Sequence, residues 1–155
     1  MLACKRQGGS EVAVSSITLT SESETLALGA KLAGLLKPGD VVTLSGDLGA
    51  GKTTLARGLI QSRLGEIEVP SPTYTLVQTY DWGDVELWHC DLYRLDQPED
   101  AYELGLIDAM GEEILLLEWA EKLGELCPSD TLSVRIEFEG NGRQVTLKGW
   151  NERDV

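Results

Sequence analysis

The run Gly46-Asp47-Leu48-Gly49-Ala50-Gly51-Lys52-Thr53-Thr54 carries residue types, at a spacing, that can hold the phosphates of a nucleotide. Its Gly-x-x-x-x-Gly-Lys-Thr pattern is a complete Walker A motif. The glycines let the backbone curl so that successive N–H groups point at phosphate oxygens. A following helix adds the positive end of its dipole. Lys52 supplies a point charge for the β- and γ-phosphates, and the Thr53 hydroxyl is suited to Mg2+. The phosphate-binding set is therefore Gly46, Gly49, Ala50, Gly51, Lys52, Thr53 and Thr54. Chance produces such a pattern in a chain this long on the order of 1% of the time.

A phosphate loop also needs an acidic group for the metal and one to orient water. Two carboxylates stand at strand ends. Asp91 closes Val85-Glu86-Leu87-Trp88-His89-Cys90-Asp91, and Glu118 closes the cleaner apolar run Ile114-Leu115-Leu116-Leu117. The carboxyl ends of parallel strands form the ligand crevice of open α/β sheets, which is where both are expected. Either can bind Mg2+ directly or through water, leaving the other to orient the nucleophile. The catalytic candidates are Lys52, Glu118 and Asp91, and the metal candidates are Thr53, Glu118 and Asp91. His89 is the only histidine and reads as a hydrogen-bonded structural residue.

The elements that must position these groups are legible around them. Val12, Val14, Ile17 and Leu19 predict a first strand. Ser21 followed by Glu24 is a capping-box pattern, opening a helix with Leu28, Leu32, Leu35 and Leu36 on its apolar face. Val41–Ser45 predicts a short buried strand before the loop, and Leu55, Leu59, Ile60 and Leu64 predict the helix after it. Runs 73–80 and 85–91 flank Asp81-Trp82-Gly83-Asp84 as a hairpin. The stretch 98–110 reads as helical but limited by Gly105, and 131–139 pairs with 143–149 across Gly140-Asn141-Gly142. The expected fold is α/β: a single P-loop NTPase-like domain over residues 12–151, with a mixed, largely parallel sheet, flanking helices and a C-terminal hairpin. Residues 1–11 and 152–155 are expected to be loose.

Composition bounds the function. The chain has 155 residues and a net charge of −13. Between Asp81 and Asp130 lie 15 acidic residues against Arg94 and Lys122 alone, while the remainder is balanced. Such a segment repels phosphate backbones, so direct nucleic-acid binding is disfavoured and a basic protein partner favoured. No apolar run is long enough to span a membrane, and no secretory signal is expected at the N-terminus. Three cysteines without metal-like spacing point to reduced thiols in the cytoplasm.

Guanine specificity is not supported. Asp108-Ala109-Met110-Gly111 matches DxxG but follows a helical stretch, and Asn151-Glu152-Arg153-Asp154 lacks the lysine of N-K-x-D. A small-molecule kinase would bring arginines over the transferring phosphate. The acidic segment offers only Arg94 and Lys122. A non-catalytic module gated by ATP is a further alternative.

These segments together resemble the TsaE (YjeE-type) P-loop ATPases of bacterial tRNA threonylcarbamoyladenosine modification. GDLGAGKTT (46–54) resembles that family's P-loop and SPTYTLV (71–77) its switch-like segment. HCDLYRL (89–95) and LLLEWAEKL (115–123) resemble its acidic and Glu-Trp segments. The resemblance implies an ATPase that supports the TsaB–TsaD complex and meets tRNA only through those partners. It implies that Lys52 contacts phosphates, that Thr53 and Glu118 hold Mg2+, and that Asp91 assists near the metal. Thr73 and Thr75 would sense the γ-phosphate, and Glu22 and Gly142 would approach the nucleotide. The sequence departs from the family in having Ala120 after Trp119, where Pro is usual, and Cys90 in place of an aromatic. The acidic segment gains a reading as a docking surface.

Overall fold

The computed structural model describes residues 3–5, 14–47, 49–72 and 75–150. In chain order the elements are β1 (Ala3–Lys5), β2 (Val14–Leu19), α1 (Glu22–Ala33), β3 (Val41–Gly46), α2 (Lys52–Leu64), β4 (Val77–Asp81), β5 (Glu86–Asp91), a 3-10 turn (Pro98–Tyr102), α3 (Leu106–Ala109), β6 (Ile114–Glu118), a kinked 3-10 segment (Ala120–Leu126), β7 (Leu132–Glu139) and β8 (Gly142–Lys148). The class is α/β with mixed strand pairing, parallel for β3, β6 and β5 and antiparallel in the C-terminal hairpin β7–β8. Of the expected boundaries, residues 12 and 151 lie outside the described residues, as does Thr73 of the switch-like segment.

The chain divides into two compact units, Met1–Leu35 with Ser45–Pro70 and Leu132–Val155, and Leu36–Leu44 with Ser71–Thr131. In the first, β1, β2, β8 and β7 run antiparallel in that order. Helices α1 and α2 meet backbone to backbone. A Cβ on Gly29 would run into the Leu55 carbonyl, and one on Gly58 into that of Leu26. Leu28, Leu32, Leu55, Leu59 and Ile60 are buried. Truncating such a leucine costs about 2–5 kcal/mol, because the cavity left behind collapses only in part.

Helix α1 starts as its sequence predicts, with Ser21 Oγ accepting from the Glu24 N–H at 3.2 Å. The reciprocal half falls one residue earlier than a capping box requires. The Glu24 carboxylate accepts from the Thr20 N–H at 2.7 Å and its hydroxyl at 2.9 Å. Those bonds, the backbone one foremost, hold the Glu24 carboxyl below its usual pKa. The helix ends at Ala33, so Leu35 and Leu36 lie beyond the face to which periodicity assigned them.

In the second unit β3, β6 and β5 are parallel and β4 pairs antiparallel with β5. All five residues of β6 are buried, which is why it reads as an unbroken apolar run. Leu115 and Leu117 join Val41, Cys90, Leu92, Leu106 and Leu123 in one core cluster. The stretch expected to be one limited helix is instead a 3-10 turn and a four-residue helix, separated by Gly105 at φ 79°. Asp108 lies in that short helix, so its DxxG does not end a strand.

Candidate functional site

The first unit carries the phosphate loop. Gly46 sits at φ 132° and a Cβ there would run into the Ile136 carbonyl, so only glycine fits. The next residue ties the loop to β7. The Asp47 N–H donates to Ile136 O at 3.1 Å, and Asp47 Oδ2 accepts from the Phe138 N–H at 3.1 Å. Gly49 (φ 79°) has nothing within 4 Å of a Cβ position, and Gly51 (φ 121°) precedes α2 without any side-chain cap. The first amides of a 13-residue helix therefore face the loop without a capping side chain, the arrangement that receives an anion. Lys52 Nζ folds back across the loop to donate to Gly46 O at 3.3 Å.

A cavity of about 400 Å³ opens beside this loop. Its lining includes Glu22, Gly49, Ala50, Gly51, Thr54 and Gly142, together with Asn141 and Arg143 from the β7–β8 hairpin. Six of the residues expected to hold nucleotide are thus brought together. Glu22 is held by Arg57, whose Nη2 donates to Oε1 at 2.9 Å. Gly142 is required because a Cβ would meet the Leu19 carbonyl. Lys52 and Thr53 stand at the start of α2.

Arg143 escaped the sequence reading. Its Nε donates to Ala50 O at 2.8 Å, its Nη1 to Gly142 O at 2.9 Å, and its guanidinium lies 4.3 Å from the Phe138 ring. It thereby fixes a loop carbonyl by a contact 93 residues away in sequence, which no local pattern encodes.

The second unit carries the two carboxylates. Asp91 and Glu118 are register partners at the ends of the parallel strands β5 and β6, so their side chains share one face. They are 7% and 6% exposed, unusually buried for acids. Asp91 Oδ1 accepts from the Tyr93 N–H at 3.0 Å, and the Leu92 N–H donates to Glu118 O at 3.0 Å. His89 Nε2 lies 3.0 Å from Glu118 Oε2. Cys90 points into the core, where burial pushes its thiol pKa far up and keeps it neutral. The Asp91 N–H donates to Leu76 O at 2.9 Å. Leu76 (φ 67°) belongs to the switch-like segment, in which the described Thr75 hydroxyl accepts from Gln78 at 2.8 Å.

Trp119 adopts the left-handed conformation (φ 59°) directly after Glu118, and its half-exposed ring packs on Tyr93 at 4.9 Å. A non-glycine residue there is held against its intrinsic preference. Trp82 and Trp150 are buried.

The candidate donors fit the groups that a phosphate loop takes. Gly49 and Gly51 leave the loop backbone open, as a phosphate cradle requires. Among the described residues no cluster of three or more His, Cys, Asp or Glu forms a cage. The candidate metal donors are all oxygens, the Thr53 hydroxyl in the first unit and the Asp91 and Glu118 carboxylates in the second. Cys90 and Cys127 are free thiols, and among the described residues no helix is long and apolar enough to cross a membrane.

Comparison with known proteins adds an independent line. Residues 19–145 match the family model described as threonylcarbamoyl adenosine biosynthesis protein TsaE. A tRNA threonylcarbamoyladenosine biosynthesis protein TsaE of Rickettsia conorii is 43% identical over 129 residues, 83% of this chain and 74% of that protein. The Bacillus subtilis protein of the same name is 37% identical over 132 residues, 84% of this chain and 82% of that one. The crystal structure of Bacillus subtilis YdiB is similar with a TM-score of 0.71 at 30% identity, covering 91% of this chain and 88% of that one.

Proposed function

The chain belongs to the TsaE family, and from that premise we propose that it is a cytoplasmic, Mg2+-dependent P-loop ATPase. In this reading it serves tRNA threonylcarbamoyladenosine biosynthesis by supporting a TsaB–TsaD complex. The observation that carries the reading is the Gly46–Thr54 loop, with Gly46 where backbone contact permits nothing else and an uncapped helix start behind it.

Each residue then has a task. The amides at the start of α2 and the Lys52 ammonium hold the β- and γ-phosphates, Lys52 exchanging its bond to the Gly46 carbonyl for phosphate oxygens. Glu22 and Gly142 border the remainder of the nucleotide in the cavity. Thr53, Glu118 and Asp91 would hold Mg2+, one carboxylate directly and the other through water, and the ion would draw charge from the phosphates. The carboxylate that does not bind the metal directly orients water. Thr73 and Thr75 respond to the γ-phosphate. Hydrolysis by the chain alone is slow, as expected of a phosphate loop whose sequence shows no arginine finger of its own. The chain meets tRNA only through its partners, as its acidic charge requires.

The test is steady-state ATP turnover by the purified chain, alone and with TsaB–TsaD. Low turnover alone and a clear rise with the partners is the expected result. No rise, with phosphate appearing on a small molecule from a metabolite mixture, would replace this reading by a kinase.

A further inference from the structure

The only histidine of the chain is completely buried and faces one of the two strand-end carboxylates. Resting on the ATPase reading above, we infer that His89 is a positioning residue for Glu118. Its Nε2–H holds Oε2 and leaves Oε1 as the oxygen presented to the metal or to water.

The register explains how the pair forms. His89 precedes Asp91 by two residues on β5, so both side chains leave the same face of the sheet. Asp91 is the partner of Glu118, and His89 that of Leu116, which places the imidazole diagonal to the Glu118 side chain. The distance is 3.0 Å, with both groups out of water. Nδ1 has no hydrogen-bond partner among the described residues although it too is buried. Glu118 is thus the polar anchor of the ring. A carboxylate accepts only, so the nitrogen that faces it, Nε2, carries a proton.

A carboxylate free to rotate offers either oxygen to whatever approaches. One whose second oxygen is held by a buried ring offers a single oxygen in one direction. Partners of this kind commonly change metal affinity or activity by about 10–100-fold when removed. Tyr93 does the same for Asp91 through a backbone N–H, so the two acids are each held by one oxygen, one by main chain and one by side chain.

Because there is one imidazole, its nitrogen resonances are unambiguous. Nitrogen NMR of the wild-type chain should show the Nε2–H tautomer, with a proton protected from solvent exchange that becomes exchangeable in Glu118→Ala. An Nδ1–H tautomer, or a proton indifferent to Glu118→Ala, would overturn the inference without any His89 variant having to fold. Two substitutions separate positioning from packing. His89→Phe keeps the ring and removes the N–H, while His89→Gln restores an N–H near the place of Nε2. Mn2+ affinity in the presence of a non-hydrolysable ATP analogue should fall about tenfold in His89→Phe and stay within about threefold of wild type in His89→Gln. Equal behaviour of the two variants would mean that His89 only fills space. Absence of turnover in the wild-type complex would remove the ATPase reading alone, since neither the tautomer nor the Mn2+ titration depends on hydrolysis.

Discussion

The two units build their candidate sites from different materials. The loop unit works with backbone, where Gly46 and Gly142 leave no room for a Cβ and helix amides lie uncapped. The carboxylate unit works with side chains, as two buried acids, each held through one oxygen, close adjacent parallel strands. A backbone site is specified by what must be missing from the sequence. A side-chain site is specified by where strands end and which residues share a face. The first kind tolerates almost no substitution at its contact points, and the second should fail in graded steps.

The largest expected effect is at Gly46. Gly46→Ala drives a Cβ into the Ile136 carbonyl at φ 132°, so ATP binding should vanish in calorimetric titration and urea denaturation should show a loss of several kcal/mol. Gly49→Ala is the control that sharpens the contrast. That position has the space but not the favoured φ, so its cost should be about 1–2 kcal/mol. Equal losses at the two glycines would break the claim that close backbone packing shapes the loop.

The acidic segment should respond more gently. Glu99, Glu103 and Asp108 are exposed, and reversing all three to lysine should weaken association with TsaB–TsaD about tenfold at low salt, with the difference shrinking toward 0.5 M salt. Unchanged affinity would leave the segment a solvated face. Arg143→Ala should lower ATP affinity several-fold with kcat within about twofold, because it loses a charge-assisted bond to a loop carbonyl and no reacting group. The smallest effect is at Ser21→Ala, where loss of the N-cap should cost about 1 kcal/mol and lower Tm by a few degrees without altering turnover.

The difference in materials also explains what the sequence made legible. Gly46–Thr54 could be read directly, since the motif is local and its glycines have one physical reason. Glu118 could be read as a strand end because the apolar run before it is continuous, and Asp91 less directly, because Glu86 and His89 interrupt the run before it. The His89–Glu118 bond spans 29 residues and the Arg143–Ala50 bond 93. Both depend on register and on how a hairpin returns, which periodicity does not encode. Glu22 and Gly142 entered only through family resemblance, yet the cavity includes both. Helix ends were the weakest point. Leu35 and Leu36 continue the apolar spacing past Ala33, where the chain has already left the helix for the Pro38–Gly39 turn.

The division of labour between the two units can be tested in one paired measurement. ATP affinity and partner-stimulated turnover are measured side by side for Lys52→Ala and Glu118→Ala. Lys52→Ala should lose productive ATP binding altogether. Glu118→Ala should keep ATP affinity within a few-fold while its turnover falls about 100-fold or more. Normal hydrolysis by Glu118→Ala in the assembled complex would contradict the account, because it would leave the strand-end carboxylate without a part in the reaction.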